Sequence, residues 1–298
     1  MQNNNHPPIH INSNSDTAIL CLHGLCGSPN QFIPLITTFQ ALKIDVYAPI
    51  LPGHGGTARD FGRSTKNEWK EVAKSAILEL KDKYKNIYLM GHSMGGLFCI
   101  DYAELVHANG IILINPPMKI NISYDKLKMC LKVILKKKEA NKSSNPIQQK
   151  KIHHFANSKQ QTEIHNSANF KQPKEVNNSA NSEKSDQMLT TKQSRPLYSI
   201  ANGHWYEYIP WIVPMLSMYP LIHESKKLLA NLRTPTLIFQ SKLDETLNYK
   251  GAYLYQKAID SEYLKLIFLE HSYHCYFPIE DLNILRTLTT QFIETNSF

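Results

Sequence analysis

The stretch NIYLMGHSMGGLF, residues 86–98, interrupts an apolar run with a serine placed between glycines. Residues 86–91 have the pattern of a buried strand, and the pattern that follows Ser93 is that of a helix. The G-x-S-x-G pattern that begins at Gly91 therefore lies at a strand–turn–helix junction. Glycines permit a sharp, strained turn with close backbone contacts there. Such a turn pushes the serine hydroxyl into the open and is typical of a nucleophilic serine.

Short apolar segments alternate with helical patterns on both sides of this stretch. Residues 67–84 have apolar side chains at the spacing of one helix face, and Thr65 or Asn67 can cap that helix. Strands are predicted at 17–24, 44–49, 86–91, 110–117, 234–241 and 263–270, and later helices at about 249–259 and 279–294. Apolar strands separated by helices form parallel sheets that are covered on both faces. The sequence therefore predicts an α/β architecture with a mostly parallel sheet.

A histidine near the end of the chain is the candidate partner of the serine. A serine hydroxyl is a weak nucleophile and needs a general base, which a carboxylate in turn orients. In chains with this serine turn, the histidine lies in a loop near the end. His274 is preferred to His271, because His271 comes directly off the last predicted strand whereas His274 can reach back over Ser93.

The candidate acid follows the strand before that one. Asp244 comes soon after residues 235–240, which is where the acid of such a site is expected. Glu245 is the alternative acid. Asp260 and Asp281 are disfavoured, because they belong to predicted helices.

Two backbone amides are candidates to hold a developing oxyanion. A tetrahedral intermediate needs such donors, and the residue after the serine, Met94, supplies one. The second is expected in CLHGLCGSP (21–29), where His23-Gly24 ends an apolar strand and directs the Leu25 N–H towards the serine. The alternative is that this His-Gly pair is only a turn.

Charge is unevenly distributed along the 298 residues, whose net charge is +8. Residues 119–151 contain ten lysines against Asp125 and Glu139, so this segment alone carries +8 and the remainder is neutral. A nucleic-acid-binding protein would have a basic surface, so the sequence predicts no nucleic-acid partner.

Cysteine usage and the N-terminus indicate the compartment. The five cysteines have no metal-ligand spacing, which predicts free thiols in a reducing cytoplasm: they are Cys21, Cys26, Cys99, Cys130 and Cys275. Neither a signal-peptide pattern nor an apolar run of about 18 residues is present. We therefore expect a cytoplasmic protein with no metal.

The middle of the chain departs from the α/β pattern. Residues 124–138 are predicted to form a basic amphipathic helix, which either contacts an anionic membrane surface or is a solvated cap element. Residues 141–194 are polar, contain a 12-residue repeat and are predicted to be disordered. The segment 197–225, rich in aromatic residues, Met and Pro, either forms a mobile lid or completes the core, and we favour the lid.

Five segments in order resemble motifs of the α/β-hydrolase superfamily, most closely those of small bacterial carboxylesterases and monoacylglycerol lipases. They are HGLCGSP (23–29), LPGHGGT (51–57), GHSMGG (91–96), SKLDETL (241–247) and SYHCYFPIED (272–281). The resemblance implies a hydrolase core of 15–118 and 228–298. A flexible N-terminus would occupy 1–14, and a cap or lid insertion 119–227.

The resemblance also implies a reaction: hydrolysis of short- to medium-chain acyl esters or monoacylglycerols through an acyl-enzyme, without a cofactor. Ser93, Asp244 and His274 would form the catalytic triad, with the Leu25 and Met94 amides as oxyanion donors. The alternatives are a thioesterase or lipase-like enzyme with the same triad, and a catalytically inactive binding module.

Other residues receive roles by position in this family. His54, in Gly53-His54-Gly55, and His92 are expected to be structural. Apart from the resemblance, the aromatic and Met-rich segment 197–225 favours an apolar acyl pocket, with Phe32 and Leu51 flanking its mouth and Trp205 and Trp211 as further lining residues. The partner is thus a small ester or lipid, and the oligomeric state is open.

Overall fold

The computed structural model describes residues 6–119, 199–201 and 203–295. These residues belong to one compact unit, which comprises Met1–Ile122 and Arg195–Phe298. The predicted basic helix at 124–138, the repeats within 141–194 and Cys130 lie outside the described residues.

A seven-stranded sheet in the order β1-β3-β2-β4-β5-β6-β7 forms the centre of this unit. β1 pairs antiparallel with β3, and every other neighbouring pair is parallel. The strands are β1 (Ile9–Ile11), β2 (Thr17–Leu22), β3 (Asp45–Ala48), β4 (Asn86–His92), β5 (Gly110–Ile114), β6 (Thr236–Ser241) and β7 (Leu264–Leu269). The predicted mostly parallel sheet is confirmed.

The N-terminal segment contains a strand that the sequence analysis did not predict. Ile9–Ile11 pairs with β3, with Ile9 opposite Ala48 and Ile11 opposite Val46. The segment 1–14, which was expected to be flexible, therefore includes a strand of the sheet. The strand is too short for a periodicity signal, and its pairing partner lies more than 30 residues further along the chain.

Helices lie between the strands. The α-helices are α1 (Ile33–Ala41), α2 (Ala58–Arg63), α3 (Lys66–Lys81), α4 (Met94–Tyr102), α5 (Ile212–Leu216), α6 (Met218–Leu228), α7 (Tyr253–Ala258) and α8 (Ile279–Thr295). Short 3-10 helices occupy Pro29–Phe32, Glu104–Val106, Trp205–Trp211, Leu229–Asn231, Tyr249–Ala252 and Ser261–Tyr263. Thr65 caps α3: its side chain accepts from the Glu68 N–H, and the Glu68 carboxylate accepts from the Thr65 N–H.

Two clusters of buried apolar side chains pack on opposite faces of the sheet. Alternate residues of a strand point to opposite faces, and along β2 Leu20 belongs to the first cluster whereas Ile19 belongs to the second. Helix α3 contributes Trp69 to the first cluster. Helices α1 and α8 contribute Phe39 and Phe292 to the second. Helices therefore cover both faces, as predicted.

The aromatic, Met- and Pro-rich segment 197–225 divides into two parts. Its last part lies in α6, which packs on α4 and buries Met218, Leu221 and Ile222 in the first cluster. The predicted insertion of 119–227 therefore contains residues of the core. The preceding part leaves apolar side chains exposed, at Ile209 (55%), Ile212 (60%), Val213 (56%) and Leu216 (51%).

Across the described ranges, none of the helices combines the length and the apolar character that crossing a membrane requires.

Candidate active site

Ser93 occupies a strained turn between β4 and α4. Its backbone has φ 51° and ψ −119°, in the positive-φ range that non-glycine residues rarely adopt. Its N–H donates to the carbonyl of Ile114 at the end of the neighbouring strand β5, at 2.8 Å. The strand–turn–helix junction that the sequence predicted is therefore present, with Ser93 at its apex.

The glycines around Ser93 allow the backbone of this turn to come close to its neighbours. A Cβ atom at Gly95 would overlap the carbonyl oxygen of Leu22 in β2, and one at Gly91 would overlap the backbone of Gly96. Backbone atoms have no flexible end that could move aside. The pattern of glycines thus follows from the packing of α4 directly against β2 and β4.

His274 and Asp244 meet at the carboxyl end of the sheet, one after β7 and the other after β6. The His274 Nδ1 donates to Asp244 Oδ2 at 2.7 Å, and the two side chains are 9% and 0% exposed. The other carboxylate oxygen of Asp244 accepts from the amides of Thr246 (2.8 Å) and Leu247 (2.7 Å). These bonds orient the carboxylate, and the bond to Nδ1 leaves Nε2 as the free ring nitrogen of His274.

The alternative acids and the alternative histidine have other partners. Glu245 accepts from the backbone N–H of His274 at 3.0 Å. Asp281 accepts from the backbone N–H of His271 at 2.8 Å, and Asp260 caps a 3-10 turn. The geometry therefore pairs Asp244, and none of the alternative acids, with the His274 ring.

His92 connects the serine turn to the loop that contains His274. Its ring Nε2 donates to the His274 carbonyl at 2.8 Å, and the two ring centroids lie 5.0 Å apart. Because His92 precedes Ser93 directly, this bond fixes the His274 loop beside the serine turn. Burial, and next the nearby His274, lower the pKa of His92 to about 3, so its ring is neutral at neutral pH.

The segment around Leu25 lies against the serine. A Cβ atom at Gly24 would be 3.1 Å from the Cβ of Ser93. Fully buried His23 fixes this segment, since its Nε2 accepts from the Leu51 N–H at 3.0 Å and its Nδ1 donates to the Gly24 carbonyl at 2.9 Å. Burial lowers the pKa of His23 well below its ordinary value, with nearby His54 adding to the effect.

Met94 is the first residue of α4. The first N–H groups of a helix have no acceptor within the helix, so the Met94 amide is not used by α4 itself. The two predicted oxyanion donors thus belong to segments that both adjoin Ser93.

His54 packs among aromatic rings beneath this site. Its ring centroid lies 4.8 Å from that of His23 and 5.7 Å from that of Trp69, and its Nδ1 donates to the Pro52 carbonyl at 3.1 Å. Burial lowers the pKa of His54 to about 4. These contacts are those of a structural histidine.

Ser199 connects two loops beside Ser93, and the sequence analysis did not identify it. Its hydroxyl accepts from the Gly55 N–H at 3.0 Å, and its own N–H donates to the Cys26 carbonyl at 2.9 Å. It therefore joins the Leu25 segment to the Gly53–Gly55 loop. No motif could have identified it, because Ser199 and Gly55 are 144 residues apart.

The four residues predicted to line a pocket have different surroundings. Phe32 and Leu51 are each 1% exposed and belong to the second and first core clusters, respectively, so they are packing residues. Trp211 packs on Phe61 and donates from Nε1 to the Ala58 carbonyl at 2.7 Å. Trp205 lies in the same 3-10 helix.

Two surface hollows of about 450 Å³ each lie away from Ser93. One is at the amino end of the sheet, between Thr17, Tyr88 and Ile293. The other lies between β3 and α3, where Tyr47 and Val72 line it.

Four cysteines lie within the described residues, and all four are free thiols: Cys21, Cys26, Cys99 and Cys275. Cys21 and Cys99 are buried, whereas Cys26 and Cys275 are partly exposed. Cys275, with His92 and His274, forms the described group that could offer three metal ligands, with ligand atoms within 4.8 Å of one another. In this group His92 Nε2 and His274 Nδ1 take part in hydrogen bonds to protein groups, so His92 Nδ1 and His274 Nε2 are the ring nitrogens that these bonds leave unused.

The chain is similar to several lipolytic enzymes. A thermostable monoacylglycerol lipase of Bacillus sp. (strain H-257) is 31% identical over 109 residues, which are 36% of this chain and 43% of that relative. Among solved structures, one of the metagenome-derived lipolytic enzymes LipS and LipT superposes with a TM-score of 0.63 at 20% identity, covering 98% of each chain. The monoacylglycerol lipase of Paleococcus ferrophilus gives 0.59 at 15% identity, covering 97% of this chain and 98% of that one.

These structures share the α/β-hydrolase fold with the chain. A family model, Hydrolase_4, described as serine aminopeptidase S33, matches residues 13–281. The chain therefore belongs to the Hydrolase_4 family of α/β-hydrolases.

Proposed function

We propose that the protein is a serine hydrolase that cleaves carboxylic esters through an acyl-enzyme intermediate. The observation that supports this most is the 2.7 Å hydrogen bond from His274 to Asp244, in a loop held beside the strained turn of Ser93. An imidazole oriented by a carboxylate next to an activated serine is the arrangement that acyl transfer requires.

The chemistry follows from the free groups of this arrangement. His274 Nε2 takes the proton of the Ser93 hydroxyl while the oxygen attacks the acyl carbon. The Leu25 and Met94 amides hold the negative charge that develops on the carbonyl oxygen. His274 then gives its proton to the leaving alcohol, and the ester bond breaks. Water, deprotonated by the same nitrogen, then attacks the acyl-enzyme; the bond between the Ser93 oxygen and the acyl carbon breaks, His274 returns the proton to Ser93, and the acid is released.

Asp244 keeps the imidazole in the tautomer that has its proton on Nδ1. Its carboxylate also stabilises the imidazolium that forms when Nε2 takes the serine proton. Two amide hydrogen bonds hold the other carboxylate oxygen, so the acid cannot rotate away without losing them.

An apolar acyl group is the substrate class that we favour. The named relatives are a monoacylglycerol lipase and lipolytic enzymes. In addition, Ile209, Ile212, Val213 and Leu216 form an exposed apolar surface along the 3-10 helix Trp205–Trp211 and α5. Such a surface suits a protein that meets lipid substrates. A peripheral contact of 124–138 with anionic membranes remains part of this proposal.

The test is a substrate panel with a matched inactive variant. We expect hydrolysis of p-nitrophenyl esters or monoacylglycerols by the wild type and none by Ser93→Ala. Short-acyl preference would indicate a general carboxylesterase, and long-acyl or glyceride preference a lipase. The panel includes an acyl thioester and an aminoacyl p-nitroanilide, because the family description names an aminopeptidase. Turnover of the anilide alone would contradict ester hydrolysis as the function.

A further inference from the structure

The backbone of His274 is held by side chains from three other parts of the fold. Its carbonyl oxygen accepts from His92 Nε2 at 2.8 Å and from Asn115 Nδ2 at 2.9 Å. Its N–H donates to Glu245 Oε2 at 3.0 Å. Most loop backbone groups are left to water, but both polar groups of this residue have side-chain partners. The position of the His274 ring therefore depends on more than its bond to Asp244.

The side-chain amide of Asn115, which directly follows β5, can adopt only one orientation. It is fully buried, and its φ of 48° is in the left-handed region, which asparagine tolerates better than most residues. Its Oδ1 accepts from the Ser241 N–H at 2.7 Å. The NH₂ group must then face the other way, towards the Ser241 hydroxyl at 3.0 Å and the His274 carbonyl.

His92 is a second fixed donor to the same carbonyl. It is 3% exposed, and the bond from Nε2 requires a proton on that nitrogen, so neutral His92 has no proton on Nδ1. The Nδ1 atom is buried and has no hydrogen-bond partner among the residues that the structure describes. Because the ring stays neutral, it adds no charge beside His274 when that residue takes a proton.

We propose that His92 and Asn115 are positioning residues, which hold the His274 loop so that its imidazole stays within reach of Ser93. This inference rests on the proposed function, in which His274 is the base. Displacing a reacting group by about 1 Å can cost about 100-fold in rate. Neither residue touches the substrate in this proposal, so their loss should lower kcat and leave KM nearly unchanged.

Two substitutions of similar shape test whether the Nε2–H donor of His92 is needed. Gln and Met have similar shapes, and the amide of Gln can replace the Nε2–H whereas Met has no donor. We expect His92→Met to lower kcat by about 10- to 100-fold with KM within about threefold, and His92→Gln to stay within about fivefold of the wild type. Asn115→Asp, which keeps the shape but replaces the donor by a carboxylate, should lower kcat at least as much.

The control is Asn109→Ala. Asn109 also binds a backbone group through its side chain, accepting from the Ile87 N–H at 2.8 Å, but it lies at the opposite end of the sheet. Its loss should lower the melting temperature and leave kcat unchanged. If Asn115→Asp does not fold, the comparison of His92→Met with His92→Gln decides the question.

A spectroscopic readout separates positioning from general destabilisation. The proton between His274 Nδ1 and Asp244 should give a downfield ¹H NMR resonance, assigned by its absence in His274→Ala. His92→Met and Asn115→Asp should shift or broaden this resonance, and Asn109→Ala should not. Folded His92→Met and Asn115→Asp proteins with wild-type kcat and an unchanged resonance would overturn the inference. A wild type that hydrolyses no ester refutes the proposed function instead, and the resonance still tests the positioning.

Discussion

Both ends of the central sheet contain polar residues, but the hydrogen bonds of these residues have different roles at the two ends. At the amino end, the Tyr84 hydroxyl donates to Asp45 at 2.6 Å, and Asn109 accepts from the Ile87 amide at 2.8 Å. At the carboxyl end, Ser93 has a strained backbone, and His274 has one ring nitrogen that Asp244 leaves free. The amino-end bonds join elements of the fold to each other, whereas the carboxyl-end bonds orient a group that can still react.

This comparison shows that polar residues alone do not mark a functional site. Three features occur together at the carboxyl end. The Ser93 backbone is strained, the glycines beside it allow backbone segments to come close, and the oriented His274 ring keeps one nitrogen that Asp244 does not bind. In open parallel sheets, ligands bind beyond the carboxyl ends of the strands. Changes at that end should therefore affect activity first, and changes at the amino end should affect stability alone.

The largest effect is expected for Asp244→Asn. The amide can keep the contact with His274 but favours the wrong tautomer of the imidazole, which costs about 10⁴-fold in kcat in a comparable triad. Steady-state hydrolysis of a p-nitrophenyl ester measures the loss, and circular dichroism confirms folding. A folded variant with more than about a tenth of the wild-type rate would argue against Asp244 as the orienting acid.

Gly95→Ala tests the close approach of α4 to β2. The new Cβ would overlap the Leu22 carbonyl, so backbone must move, and we expect a loss of about 3 kcal/mol in the free energy of unfolding. The matched control is Gly251→Ala, because no atom lies within 4 Å of its added Cβ. Urea unfolding measures both variants. Equal stabilities would show that the turn is looser than its geometry indicates.

Acid should destabilise the protein through the buried histidines of the carboxyl end. Burial lowers the pKa of His54 from 6.5 to about 4. Between those values the unfolded chain binds a proton that the folded protein does not, so stability is complete above pH 6.5 and falls as the pH decreases towards 4. Over this range His54 alone should lower the free energy of unfolding by up to about 1.4 kcal/mol for each pH unit of acidification.

Unfolding free energies of the wild type and of His54→Phe, measured from pH 7 to pH 4, test this linkage. The variant should lose stability less steeply over that range. A parallel pH dependence for the two proteins would mean that His54 is not held neutral by the fold.

The smallest effect is expected at the amino end. Tyr84→Phe removes the hydroxyl that lies 2.6 Å from Asp45 and 2.7 Å from the Tyr47 hydroxyl. We expect the free energy of unfolding to decrease by about 1 kcal/mol with kcat unchanged. Thermal melting and ester hydrolysis measure the two quantities. A loss of activity without a loss of stability would contradict the claim that changes at the amino end affect stability alone.

The sequence predicted those features that depend on neighbouring residues. The apolar strands, the glycines around Ser93 and the two candidate caps of α3, of which Thr65 is the cap, are local patterns. The order of Ser93, Asp244 and His274 along the chain also pointed to the Asp244–His274 pair that the structure brings together. The sequence did not predict β1, because three residues give no periodicity.

Contacts between distant segments were missed for a different reason. Ser199 and Asn115 bind backbone groups far away in the chain, and no residue type in their surroundings signals this. Phe32 and Leu51 were expected to flank the mouth of a pocket but are buried in core clusters, because hydrophobicity does not distinguish a pocket residue from a core residue.

Labelling with a fluorophosphonate probe tests most directly whether Ser93 is an activated nucleophile. Mass spectrometry of the intact protein and of its peptides should find one adduct, on the peptide that contains Ser93. Ser93→Ala should take up no probe, and His274→Ala should react far more slowly than the wild type. A folded wild-type protein that takes up no probe, or a Ser93→Ala variant labelled at the wild-type rate, would contradict the account.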